Sequence, residues 1–460
     1  MNLYRPIFHF MPEKNWMNDP NGVVFYKGEY HLFYQYNPNG DQWGTIHWGH
    51  AKSKDLVHWE HLPIALYPSN DKGELHCFSG CAVINDGEPT IFYTSIGEGE
   101  RHQTAGAEQW MAISKDDMIT WEKYDKNPVL TLEIHGDIDI KEWRDPFVWK
   151  EEDSWFMVVG GSHDKKGCVL IYKSEDLRQW EFLNILYEDK DEIWECPNCF
   201  KLGNEYVLVY SPNDIVKYYI GSIDNEYKFI PSSSGTMDHS GWEGFYAPNS
   251  FVDDSNRRIM FGWITDVARG EFNQCSGWSG VQSIPRILAI KDGKLRMEPA
   301  KELEVLRGNH KEYRNISISK TWESEIKGRA LEIVVEVENA EASEFSIDVL
   351  SSIDGEEKTS IIYNGSTKSF SVDRKKSSLS ELCHNTELEG TVEVDVDGIL
   401  KLHIFIDHSV LEVFANSRES ISTRVYPMKE DSENVRISVL NGNALSIKLF
   451  DIYKMNSIWE

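Results

Sequence analysis

With 460 residues and a net charge of −28, the chain is long enough for two cored domains and too acidic for nucleic acid, which is bound through a surplus of Lys and Arg. A composition 40% hydrophobic and 27% charged is that of a globular protein with a sizeable core, and no apolar run reaches the ~20 residues of a membrane span. Seven cysteines, an odd number in a long chain, fit a reducing compartment better than a disulfide framework.

The N-terminal stretch MNLYRPIFHFMPEKNW lacks the basic start, apolar stretch and small-residue cleavage site of a secretory signal, so a cytoplasmic protein is expected. Residues 1–297 then read as a repeat. DPNGVVFYKGEYHLFYQY from Asp19, SGCAVINDGEPTIFYTSI from Ser79, DPFVWKEEDSWFMVVGG from Asp145, ECPNCFKLGNEYVLVYSP from Glu195 and YAPNSFVDDSNRRIMFGWI from Tyr246 each open on a polar residue. Each then runs into an apolar strand, turns, and returns as a second strand. The leading residues are 60, 66, 50 and 51 residues apart, room for about four strands per unit. A second marker recurs with them: SKDLVHW at 53–59, SKDDMITW at 114–121 and SEDLRQW at 174–180, with a weaker echo at 221–229. Its Ser/Asp cluster reads as a turn and its Trp as the anchor of the next outer strand. Amphipathic helices of about 10–15 residues, which a βαβ fold requires, are missing from this half. The pattern predicts an all-β chain that starts as a five-bladed β-propeller.

Fourteen of the sixteen tryptophans precede residue 300, which marks a boundary. EPAKELEVLRGNH at 298–310 has helical spacing at Leu303 and Leu306, predicting a short helix within a linker at 298–312. Beyond it, LEIVVEVE, FSIDVLSS, TSIIYNG, KSFSVDR, LKLHIFIDHSVLEVFAN and ISTRVYP alternate apolar and polar residues, predicting a β-sandwich over 313–460. Its edge strands leave room for a homo-oligomer.

A radial repeat would carry Asp19, Asp145 and Glu195 to one axis in a common register, with Ser79 and Tyr246 as neutral members of the ring. Taken singly, Asp19 and Asp145 suit turns or ion pairs. Glu195 stands between Trp194 and Cys196, and an apolar setting there would raise its pKa toward that of a general acid. Together the three suit glycoside cleavage, in which one carboxylic acid protonates the leaving oxygen and a carboxylate attacks the anomeric carbon. Trp16, Trp43, Phe78 and Trp263 suit stacking on sugar faces. The pairs Cys77/Cys81 and Cys196/Cys199 imitate zinc spacing, but strand alternation would turn Cys196 and Cys199 to opposite faces. No metal or other cofactor is implied.

WMNDPNG at 16–22, WRDP at 143–146 and WECP at 194–197 resemble the three acidic motifs of glycoside hydrolase family 32, the β-fructofuranosidases. YQYNPNGDQWG, WGHAKSKDLVHW, FSGCAV, RRIMFGW, GWSGVQSIPR and FIDHSVLEVF continue the resemblance in order along the chain. It implies a five-bladed propeller followed by a β-sandwich. It also implies Asp19 as nucleophile, Glu195 as acid/base with Cys196 tuning it, and Asp145, assisted by Arg144, as transition-state stabiliser. Asn18, Gln35, Trp43, Phe78 and Ser79 would line the fructose subsite, with Trp263 closing its wall. One departure is Cys81 in FSGC, where many members have Ser; it either touches the site or fills the blade. The expected activity is retaining hydrolysis of terminal non-reducing β-D-fructofuranosyl residues from sucrose or short fructans. Alternatives are a sucrose-6-phosphate hydrolase, for which Arg101, His102 and Arg269 are candidate phosphate ligands, and a fructosyltransferase using the same intermediate. A non-catalytic sugar-binding protein would have lost part of the carboxylate set. The expected partner is a β-fructoside, with neither nucleic acid nor membrane.

Overall fold

A computed structural model describes residues 3–190, 192–272, 277–395, 397–441 and 444–459. The architecture is a β-propeller followed by a β-sandwich, and the helical segments among the described residues are short 3-10 turns. Among these residues no helix is long and apolar enough to cross a membrane.

The first half forms five antiparallel sheets in chain order. The first contains β1 (Asn15–Tyr26), β2 (Glu29–Asn37), β3 (His47–Ser53) and β4 (Trp59–Leu66); the second contains β5 (His76–Asn85), β6 (Glu88–Ile96), β7 (Glu108–Ile113) and β8 (Glu122–Lys123). The third has β9 (Ile140–Glu151), β10 (Ser154–His163), β11 (Lys166–Ser174) and β12 (Glu181–Asp189), and the fourth β13 (Glu195–Leu202), β14 (Glu205–Ser211), β15 (Lys217–Ile223) and β16 (Phe229–Thr236). In the fifth, β17 (Phe245–Val252) and β18 (Arg258–Ile264) are joined by β21 (Arg286–Lys291) and β22 (Lys294–Pro299). Between them, β19 (Trp278–Ser279) returns to pair in parallel with β1, and β20 (Val281–Gln282) pairs with β18. This tie between the ends of the half closes the circle of sheets.

The Ser/Asp marker is the corner before each outer strand. In the first sheet Asp55 accepts hydrogen bonds from the Val57 and His58 amides and from Ser53 Oγ; Ser114/Asp116 and Ser174/Asp176 repeat the arrangement. Leu56, Met118 and Leu177 take positive φ of 64°, 68° and 67° at the same corner. Trp59 and Trp180 then donate Nε1–H to the Leu56 and Leu177 carbonyls.

The innermost strands share a second feature. Each carries one extra residue at the same ladder position: Met17/Pro20 face Tyr36/Tyr34, Cys77/Gly80 face Ser95/Tyr93, and Arg144/Phe147 face Gly160/Val158. Glu195/Asn198 face Ser211/Val209, and Tyr246/Asn249 face Trp263/Phe261. These are β-bulges, which bend a strand and re-aim its side chains. They also correct the expected common register. The ladder makes Met17, Cys77, Arg144, Glu195 and Tyr246 equivalent, so Asp145 lies one residue and Asp19 two residues further along than Glu195.

The expected helix at 298–310 is a 3-10 turn, Lys301–Leu306, that buries Leu303 and Leu306. From Arg307 the chain is already a strand, Arg307–Ile318, because pairing with Leu445–Met455 captures it. Two six-stranded sheets follow, packed through residues such as Ile333, Val335, Ile347 and Ile404. A buried polar network ties the halves together. Arg286 Nη2 reaches Asp238 at 3.1 Å and Glu412 at 2.8 Å, while His9 contacts Asp407 and Glu412. The guanidinium also lies over Phe245 and Phe414.

Candidate active site

The bulges of β1, β9 and β13 deliver three carboxylates to one cavity of about 360 Å³. Asp19 is almost enclosed. Its Oδ2 accepts from Ser79 Oγ at 2.6 Å, Gln35 Nε2 at 3.2 Å and Cys196 Sγ at 3.5 Å, and its Oδ1 accepts from Asn18 Nδ2 at 3.1 Å. Asn18 is fixed in turn by Gln35 and by Trp16 Nε1–H. Burial pushes the Asp19 carboxyl up to about 7; the Asp145 and Glu195 charges push the same way, against the Ser79 and Asn18 hydrogen bonds.

Asp145 occupies the left-handed region at φ 67°, which few residues other than Gly adopt. Its Oδ2 accepts the Cys196 amide at 2.9 Å and the Cys196 thiol at 3.5 Å, and its own N–H donates to Thr94 Oγ1 at 2.8 Å. Burial raises its carboxyl to about 6, opposed by the Arg144 charge. Cys196 therefore stands between Asp19 and Asp145, and burial pushes its thiol well up, so it is a neutral donor whose single proton serves one of the two carboxylates at a time.

Glu195 does not sit in the apolar setting expected for it. Arg144 donates to its Oε1 from Nη2 at 2.8 Å and Nε at 3.3 Å, and Tyr246 donates to its Oε2 at 2.7 Å. Its neighbours in the chain, Trp194 and Cys196, are not its surroundings in space. Arg144 is itself shared with Glu142 at 2.6 Å, and Tyr246 is held by the Asn213 amide at 2.8 Å.

The cavity walls bring together Asn18, Gln35, Trp43, Phe78, Arg144, Cys196, Tyr246 and Trp263 with the three acids. Ser79 lies behind Asp19 as its hydrogen-bond donor. Trp263 packs edge-on to Trp16, with ring centroids 5.8 Å apart; Trp43 is half exposed and stacks on His76. Cys81 does not reach the cavity: it is buried and accepts the Val148 amide, filling the contact between the second and third sheets. Arg101 and Arg269 do not line it either, being engaged by Glu108 and Ser95 and by Trp278 and Ser279, and His102 lies outside it with Thr104. The sequence reading missed Gln103, Asn213 and Trp242, which complete the walls. They come from loops outside the repeat, although Asn213 follows the strand that pairs with Glu195. Among the described residues no cluster of His, Cys, Asp or Glu could hold a metal ion.

The model described as Glycosyl hydrolases family 32 N-terminal domain matches residues 9–299, and that described as Glycosyl hydrolases family 32 C terminal matches residues 302–454. Sucrose-6-phosphate hydrolase of Zymomonas mobilis is 35% identical, with 98% of this chain and 91% of that protein aligned. Levanase of Bacillus subtilis is also 35% identical, over 99% of this chain and 71% of its own length. Fructan 1-exohydrolase IIa of Cichorium intybus has a similar structure, with a TM-score of 0.89 at 27% identity and coverage of 99% of this chain and 98% of that one; it has also been solved with 1-kestose.

Proposed function

The chain belongs to glycoside hydrolase family 32, and on that premise we propose that it releases terminal β-D-fructofuranosyl units from sucrose or short fructans with retention of configuration. Asp19 attacks the anomeric carbon. Its Oδ2 is held by Ser79 and Gln35 and shares the Cys196 thiol with Asp145, whereas its Oδ1 is held by Asn18 alone, so Oδ1 keeps a lone pair for the new bond. Glu195 protonates the leaving glycosidic oxygen and then, as a carboxylate, takes a proton from the water that cleaves the fructosyl-enzyme. Asp145 accepts fructose hydroxyls and stabilises positive charge developing on the sugar ring. Asn18, Gln35, Trp43, Phe78 and Trp263 form the fructose subsite, with Arg144 and Tyr246 orienting Glu195.

The observation that carries this reading is the unlike setting of the two principal acids. Asp19 lies among neutral donors, whereas Glu195 is held between a guanidinium and a phenol beside the cavity. Environments that differ in this way assign different roles to two carboxyls. The Glu195 charge also pushes the Asp19 pKa up. A proton on Glu195 therefore favours the ionised Asp19 that attack requires, so one protonation state prepares both groups.

A second reading, sucrose-6-phosphate hydrolysis in the cytoplasm, draws support from the similarity to the Zymomonas mobilis protein. Against it, Arg144 is the one Lys or Arg lining the described cavity, and Glu142 and Glu195 already engage it. The deciding experiment compares fructose release from sucrose, sucrose-6-phosphate, inulin and levan, and follows the first-formed anomer by NMR. β-Fructofuranose and equimolar glucose from sucrose are expected. Trisaccharides in place of free fructose would make the protein a transferase, and binding without release would make it a sugar-binding protein.

A further inference from the structure

We infer that Thr94 and Gln109, neither of which lines the cavity, are positioning residues that hold Asp145 in its working conformation; the inference rests on the role proposed for Asp145. In the bulge of β9, Asp145 and Pro146 together face the single residue Val159, because Arg144 pairs with Gly160 and Phe147 with Val158. Asp145 lies outside the paired register at φ 67°, and its N–H crosses to the neighbouring sheet, where Thr94 Oγ1 accepts it at 2.8 Å. That hydroxyl has one proton, which goes to Gln109 Oε1 at 2.7 Å. Gln109 Nε2 points back to the Trp143 carbonyl at 3.5 Å. The chain of contacts thus begins and ends on the segment 143–145.

Thr94, Gln109 and Trp143 are fully buried, so no solvent stands ready to replace a lost partner. The carboxylate is held from the other side, by the Cys196 amide and thiol of the fourth sheet. The second sheet therefore fixes the backbone of Asp145 and the fourth sheet fixes its side chain. A left-handed non-Gly residue persists only when its surroundings over-determine it. With the Thr94 hydroxyl gone, the backbone relaxes toward extended geometry and the carboxylate swings away from the sugar hydroxyls it must meet.

The test measures kcat and KM on sucrose, per folded molecule, for Thr94→Val, Thr94→Ser, Gln109→Met, Asp145→Asn and the double variant Thr94→Val/Asp145→Asn. Misplacement of a reacting group by about 1 Å costs ~10²-fold in rate. Thr94→Val is therefore expected to lose ~10²-fold in kcat with KM nearly unchanged. Thr94→Ser should restore most of it, Gln109→Met should lose less, and the double variant should be no slower than Asp145→Asn alone. A kcat equal to the parent's in folded Thr94→Val, or losses that multiply in the double variant, would overturn the inference. Should Thr94→Val fail to fold, Gln109→Met decides: a selective kcat loss supports the clamp, and a parental kcat overturns it. Parental turnover in Asp145→Asn would instead overturn the role given to Asp145. An inactive Asp145→Asn beside a fully active Thr94→Val would overturn only the clamp.

Discussion

Replacing Asp19 with Asn should abolish turnover and yet stabilise the fold, by an amount that depends on pH. The ordinary Asp value of 3.8 becomes about 7 in the folded chain, chiefly through burial. Between those values the folded state holds a proton that the unfolded state has released, so this group's contribution to stability falls as pH rises from about 4 to about 7. At 1.36 kcal/mol per pH unit, the raised Asp19 value costs the fold about 4 kcal/mol at pH 8, where the group is ionised, and between 1 and 2 kcal/mol, roughly, at pH 5, where the folded chain must hold its proton. Asn carries no such cost. Its Nδ2 faces Asn18 Nδ2, where Asp19 Oδ1 now accepts, but the raised Asp19 value is already net of that bond. A gain of about 4 kcal/mol at pH 8 therefore follows, shrinking to between 1 and 2 kcal/mol, roughly, at pH 5. For a chain of this length the unfolding entropy is about 1 kcal/mol per degree, so Tm should rise by about 4 °C at pH 8. Thermal unfolding of both proteins at the two pH values, with sucrose turnover alongside, makes the check. A variant less stable than the parent at pH 8, or a gain that grows toward pH 5, would refute the electrostatic account of Asp19.

Two further substitutions probe the acid/base and the seam between the halves. Glu195→Gln should lose ~10³-fold in kcat on sucrose, but far less in the fructosyl-transfer step of an aryl β-fructofuranoside whose phenol leaves without a proton; equal losses in that step on both substrates, seen in pre-steady-state release of glucose from sucrose and of the phenol from the aryl substrate, would remove Glu195 from the acid role. Arg286→Met leaves Asp238 buried without its cation and Glu412 with His9 as its remaining ion-pair partner, and breaking such a group should cost ~3–5 kcal/mol. Denaturant unfolding reads that loss, and a change below about 1 kcal/mol would show that the hydroxyls of Ser420 and Ser422 around Asp238 satisfy it without Arg286.

The fold was legible because its local signals repeat. The Ser-x-Asp corner satisfies backbone amides in the same way in three sheets, and a turn chemistry that works locally is visible locally. The sandwich strands were legible from alternation, as in Ala330–Glu338, where Leu331, Ile333, Val335 and Val337 are buried in the core. The helix expected near residue 300 failed after Leu306 because strand pairing with Leu445–Met455, a partner about 140 residues away in sequence, outweighed the local period. The surroundings of Glu195 failed for the same reason: its guanidinium partner stands 51 residues earlier in the chain. Gln103, Asn213 and Trp242 belong to no repeat and so carried no signal.

The register of the acids is the more instructive miss. Matching acid to acid put Asp19, Asp145 and Glu195 at one position, but a bulge adds a residue that leaves no composition signature. The prolines held the clue: Pro146, Pro197 and Pro248 occupy one ladder position, after Asp145, Cys196 and Ala247 at φ 67°, 47° and 47°. Asp19 and Ser79 take that same position in the first two sheets. The offset has a chemical consequence. An unbulged strand sends alternate residues to opposite faces, whereas each bulge re-aims consecutive ones, so the acids reach the cavity from different ladder positions. Exposure separates the unshifted acid from the two shifted ones: Asp19 and Asp145 are 9% and 5% exposed, and the Glu195 side chain 20%. This fits the roles proposed for them: the two acids proposed to grip or attack the fructosyl unit are the enclosed ones, and the acid proposed to meet a leaving group and then a water is the more accessible one.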